Sequence, residues 1–169
     1  LASGIQFFGN FRKRDWWDAN NDGYSEISQL KGGSAGVTLF QSISKRFTMK
    51  GLAWYIDEER RGGNAFDRLP ELADQAEYRK QRTGVADVQL VFRPSPKPLV
   101  FMGYFGGQLT DRKHYTGIDQ APGWGTTKAN STVAGLQVHG NHTFNQISTR
   151  NVAGIEWQQE FVNDAIPAY

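Results

Sequence analysis

From Asp18 to Glu26 the chain reads Asp-Ala-Asn-Asn-Asp-Gly-Tyr-Ser-Glu. Oxygen-bearing side chains therefore stand at Asp18, Asn20, Asp22 and Glu26, with Gly23 where a tight loop must bend. A hard cation such as Ca²⁺ takes six to eight oxygens at roughly 2.3–2.6 Å, and this spacing supplies several from one short segment. The peptide carbonyl of Tyr24 is a further candidate ligand. The longer helix-flanked calcium loop requires glutamate at its twelfth position. Gln29 stands there, so the shorter form closing at Glu26 is the better comparison. The same residues also make a plain polar hairpin turn, because Asn, Asp and Gly tolerate positive φ and bond back to their own backbone. Both readings, bound calcium and simple turn, stand at this level.

Other residues with chemical potential flank the strand-like stretches. Arg60 and Arg61 offer forked donors for an anionic group, or are two solvated cations screened by Asp57, Glu58 and Glu59. Trp16, Trp17, Tyr115 and Trp124 present aromatic surface suited to gripping a flat or apolar ligand; for Trp16 and Trp17, anchoring at a membrane interface fits equally well. His114, His139 and His142 have no spacing that converges on a metal. There is no zinc-ligand helix, and Ser, Asp and His are present without an arrangement that makes a triad, so no enzymatic activity is expected.

Positioning these residues falls to strands. Ile5, Phe7 and Phe11 recur at every second position or a multiple of it, as do Val37 and Leu39, Leu52, Trp54 and Ile56, Ala86 to Phe92, Phe101, Phe105 and Leu109, Ala134 to Val138 and Ala153 to Trp157, which is the strand period. Seven strands follow, most of ten residues or more. Arg60–Glu77, with a short helical turn around Pro70–Ala76, and His114–Thr127 read as long loops. Ser44–Arg46, Pro94–Pro98 and His142–Ser148 read as short connections. With the opening Asp/Asn loop, connections alternate long and short. If successive strands are antiparallel neighbours, every long connection falls on one rim.

The 169 residues are 13% aromatic. Their mean hydropathy is nevertheless −0.56, which fits sheets with one apolar and one polar face. No apolar run reaches the ~18–20 residues of a membrane-spanning helix. The net charge is +2, with basic and acidic residues interspersed, which gives no case for nucleic acid. Long strands, alternating faces and asymmetric rims together predict an all-β, antiparallel up-and-down transmembrane β-barrel segment with long extracellular loops and short periplasmic turns. Asp87, Gln89, Gln137, His139, Glu156 and Gln158 would face a wet lumen. Leu136, Val138, Ile155 and Trp157 would face lipid, with Tyr55, Tyr104 and Trp157 contributing to aromatic girdles. A soluble sandwich is the competing fold; its strands average only about five or six residues.

The successions Phe11–Glu26, Glu59–Pro70 (Glu-Arg-Arg-Gly-Gly-Asn-Ala-Phe-Asp-Arg-Leu-Pro) and Asp111–Gly117, with the closing Asn151–Phe161, resemble the barrel of TonB-dependent outer-membrane receptors of Bacteroidetes-type bacteria, in the cobalamin and siderophore receptor branch. That resemblance implies a bacterial outer-membrane location and contact with outer-membrane lipid. It implies uptake of cobalamin, an iron–siderophore or a similar small nutrient with energy from the TonB complex, and a surface lipoprotein as a further partner. It also implies a 22-strand barrel with an N-terminal plug, so residues 1–169, with about seven strands and no plug, are expected to be one barrel segment. Calcium in the outer loops of cobalamin receptors would place Asp18, Asn20, Asp22, Tyr24 and Glu26 in a loop-ordering role. Two alternatives stay open: a small self-contained outer-membrane barrel with an adhesion or structural role, and a soluble calcium-binding β domain.

Overall fold

The computed structural model describes residues 2–94, 98–118, 123–145 and 147–166. Seven strands succeed one another: β1 (Ser3–Arg14), β2 (Gln29–Ser42), β3 (Phe47–Gly63), β4 (Gln75–Phe92), β5 (Leu99–Ile118), β6 (Trp124–Phe144) and β7 (Ile147–Ala165). They form one antiparallel sheet in the order β1-β2-β3-β4-β5-β6-β7, so each strand pairs only with its neighbours in the chain. Among the described residues both β1 and β7 are free edges, and there is no α-helix. The helical turn expected near Pro70 is the 3₁₀ turn Pro70–Leu72. Long and short connections alternate as expected, but pairing carries β3 to Gly63, β5 to Ile118 and β6 back to Trp124, so two of the long loops are shorter than the sequence predicts. The stiff Pro94–Pro98 connection lies in part outside the described residues, as does the stretch ending at Pro122.

Register decides what each face carries. One face holds Ile5, Phe7, Val37, Leu39, Val88, Phe105, Leu136 and Ile155, and every one of these is extensively exposed or half-buried. The band recurs on successive strands as Phe47–Tyr55, Gly84–Phe92, Phe101–Leu109 and Ala153–Phe161, interrupted by Thr132 and Gln159. Eight residue steps at about 3.4 Å make each span roughly 27 Å long. Toward the long-connection rim the band ends in a cross-strand charge ladder, Asp57–Arg82–Asp111–Lys128, followed by Glu59–Lys80–Lys113. Opposite charges directly across a pair stabilise by a few tenths to about 1 kcal/mol each. Arg82 and Lys80 lie 3.5 and 3.2 Å from Asp57 and Glu59.

The other face is mainly polar. It carries Asp87, Gln89, Gln137, His139, Glu156 and Gln158 together, as the alternation predicts. Thr38, Thr83 and Thr110 are buried on this face. Gln81, Thr83, Thr110 and Gln108 make a hydrogen-bonded ladder across β4 and β5. One expectation fails on this face. Tyr104 joins it, hydrogen-bonded to Glu156 across Gly135, and so is no part of an aromatic girdle on the apolar side. Leu52, Trp54 and Ile56 also point here, on one face with Lys50, because β3 registers them opposite Asp87, Val85 and Thr83. Trp157, by contrast, lies on the apolar face but at mid-height beside Phe105 and Ala134, away from the band's edges.

Candidate functional site

The long-connection rim gathers the chemistry, and its first loop is built around its own carboxylates. Asp18 accepts the backbone N–H groups of Asn21 and Gly23 on its two oxygens, at 2.7 and 2.8 Å. Asn20 Oδ1 accepts from Asp22 N, and Asp22 Oδ1 accepts from Tyr24 N. Glu26 reaches back to Ala19 N at 2.7 Å. Gly23 takes φ = +89°, which explains a glycine at the bend. As a result, carboxylate oxygens of Asp18, Asp22 and Glu26 lie within 4.8 Å of one another. Oxygens on opposite sides of one Ca²⁺ stand at most about 5 Å apart, so these three are sized for a shared cation. Asn20 spends both ends of its amide on Asp22, through Oδ1 and through Nδ2 at 3.0 Å. Tyr24 enters through its N–H.

The second loop, residues 64–74, is fastened to the first. Ser25 N donates to Gly63 O, while Gly63 N donates to Ser25 Oγ. Trp16 stacks flat on Phe66, centroids 4.7 Å apart and planes within 5°, so Trp16 is partly engaged by the neighbouring loop. Trp17 pairs its backbone with Ile27 and leaves its ring exposed.

Arg60 and Arg61 part company, since consecutive residues of a strand face opposite ways. Arg61 points to the apolar side and is buried: its Nη2 donates to the carbonyls of Asn64 and Ala65, and it lies over the Phe66 ring. Its Nε and Nη1, and Oε2 of the neighbouring Glu71, are buried without a hydrogen-bond partner among the described residues. Tyr115 is buried at 1% exposure with Ala73 and Ala76, and Trp124 packs on both Tyr115 and Tyr78 with Lys113 over its ring. Tyr115 and Trp124 thus lie in strands as the hub of a small packed cluster, where the sequence reading has loop residues open to ligand.

Arg60 faces the polar side, where it meets Glu58, one of the screening acids named from the sequence, together with arginines not singled out there. Two adjacent cross-strand rows hold Arg14, Leu30, Arg60, Arg79 and His114, then Arg12, Gly32, Glu58, Gln81 and Arg112. Glu58 is the hub. It receives Arg12 Nη2 at 2.7 Å, Arg60 Nε at 2.7 Å and Arg79 Nη2 at 3.4 Å. Beyond the apolar band, its carboxyl is held below the ordinary value of 4.5, chiefly by the Arg60 hydrogen bond; desolvation opposes this, and the charges of Arg60, Arg12 and Arg79 add to it, as opposite charges favour the ionised form. Arg112 donates to Gln81, and Arg14 to the Ser28 carbonyl. The signal available beforehand was the strand period itself, which sends Arg12, Arg14, Glu58 and Arg60 to one face; the pairing that unites three strands there lies outside any single segment. No known protein family, no curated protein and no solved structure matches this chain.

Proposed function

We propose that this sheet is one arc of a β-barrel in the bacterial outer membrane, of the TonB-dependent receptor type. Its apolar face meets lipid and its polar face lines the lumen. The observation that carries this reading is the sidedness of the sheet. A band roughly 27 Å long along the strands, or about 21 Å high at a strand tilt of about 40°, compares with the ~25 Å apolar belt of outer-membrane barrels. A water-exposed band of this extent would far exceed the few hundred Å² typical of soluble monomers. The long-connection rim is then extracellular and the short one periplasmic. The parent receptor takes up cobalamin, an iron–siderophore or a similar nutrient with TonB-supplied energy, and Ca²⁺ bound by Asp18, Asp22 and Glu26 orders the first loop before the nutrient arrives.

The 169 residues contain no cysteine, so single-cysteine labelling in the natural protein tests the sidedness directly. Cysteine at Leu136 or Ile155 is expected to resist a water-soluble maleimide in outer-membrane vesicles and to place a fluorophore within reach of lipid-borne quenchers. Cysteine at Gln137 or Glu156 is expected to behave oppositely. Equal labelling on both faces refutes the membrane assignment. Deletion of the natural gene is expected to abolish TonB-dependent uptake of labelled cobalamin or a ferric siderophore; unchanged uptake of both removes the transport role and leaves a barrel of another kind.

A further inference from the structure

Both faces of the sheet carry cations at this height. On the apolar face Arg82 lies beside Asp57, Lys80 beside Glu59 and Lys128 directly opposite Asp111, while Lys113 is paired directly with Lys80 and Lys13 with Lys31. On the inner face Arg12, Arg14, Arg60, Arg79 and Arg112 occupy two adjacent rows with Glu58 as the carboxylate among them. Arg60 and Arg79 are paired directly across β3 and β4. Like charges at that position destabilise a sheet, so the arrangement opposes folding unless something neutralises it. Glu58 does so only in part, because one carboxylate has two oxygens and three guanidiniums already claim them. Each guanidinium carries five donors, and most of those on Arg12, Arg60 and Arg79 have no protein acceptor among the described residues. Their side chains remain 62%, 44% and 41% exposed, so a ligand can reach them.

We infer that this arginine cluster is a binding site for a small polyanion bearing two or more carboxylate or phosphate groups. Planar forked donors match such groups in a bidentate manner, and several arranged on a rigid sheet lose little freedom when the ligand docks. The site rests on the reading of the inner face as a lumen, and it narrows the nutrient to an anionic complex over a neutral one. Glu58 acts as an internal competitor that holds the guanidiniums in place until a ligand carboxylate or phosphate displaces part of its contacts.

The test is calorimetric titration of the full-length natural protein, in detergent, with citrate and separately with pyrophosphate. Saturable binding of at least one probe is expected, weakening as salt rises. Arg60→Gln and Arg79→Gln should each lower affinity about tenfold or more, as expected for loss of a charge-assisted hydrogen bond. Arg79→Lys should retain part of it, Glu58→Gln should tighten binding, and Arg82→Gln on the opposite face should leave it unchanged. Absence of saturable binding by both probes overturns the inference, as does an equal loss in Arg82→Gln. Partition of the same preparation between outer-membrane vesicles and water separates the two claims: a membrane-embedded protein that binds neither probe refutes the anion site alone. A water-soluble one refutes the barrel.

Discussion

Placing an arginine at the middle of the apolar band is the sharpest test of what that face touches. Phe105 lies at the centre of the β5 span, four residue steps from both Phe101 and Leu109. Four steps along a strand amount to about 14 Å. Leu109 lies at the edge of the band, next to the row of Asp57, Arg82, Asp111 and Lys128. Phe105 is 56% exposed and Leu109 is 64% exposed, so the two sites differ little in local exposure and mainly in depth. Arginine on the lipid face of an outer-membrane barrel costs about 2–4 kcal/mol at the midplane and about 0–1 near the interfaces. On a water-exposed sheet both substitutions fall within about 0.5 kcal/mol of neutral. Comparing Phe105→Arg with Phe105→Ala, and Leu109→Arg with Leu109→Ala, removes the lost apolar contacts and leaves the charge. Urea titration of the natural protein folded into lipid vesicles, followed by tryptophan fluorescence, gives the four stabilities. From the depth dependence in lipid, the penalty at Phe105 is expected to exceed that at Leu109 by about 2 kcal/mol. Penalties equal to within about 0.5 kcal/mol, the spread of ordinary surface substitutions, would refute the reasoning, because depth would then have no meaning on this surface.

Other consequences are local. Calcium at a hundredfold excess over its dissociation constant should stabilise the natural protein by about 2.7 kcal/mol; Asp22→Ala or Glu26→Ala should abolish the calcium-dependent shift in a melting curve, and a wild-type curve indifferent to chelator would leave only the turn. Glu58→Gln should destabilise by about 1–3 kcal/mol, since it strips three guanidiniums of a mostly buried charged acceptor. Because the folded Glu58 titrates below its ordinary 4.5, its contribution is complete above that pH and is lost as pH falls through the lower folded value, so the wild-type and Gln curves should converge in acid. Phe66→Ala should cost about 1 kcal/mol beyond its lost area. It unstacks Trp16, which is read as faster hydrogen exchange in residues 15–28. Gly63→Ala should cost about 1–3 kcal/mol in backbone strain, which thermal melting would report. There φ is +101°, and an added Cβ would collide with the Gln75 backbone.

What the sequence determines by itself follows from short-range rules. Side chains of a strand alternate with period two, so Leu136 and Gln137, or Ile155 and Glu156, had to face opposite ways wherever their strands lay. Likewise the hydrogen bonds that order the Asp18, Asp22 and Glu26 carboxylates all lie within nine residues, even though Ser25 is also tied to Gly63 of the next strand. The remainder depends on partners far away in sequence. Leu52, Trp54 and Ile56 share one face by the strand period, but only their register against β4 puts that face on the polar side of the sheet. Tyr115 and Trp124 read as loop residues until cross-strand pairing extends β5 and β6 and packs the two rings together. Arg60 and Arg61 form one basic pair in sequence but have separate fates, the first joining Arg12 and Arg79 on Glu58, the second buried beneath Phe66. Tertiary structure decided these because hydrogen-bond register is a relation between strands, and no single strand contains it.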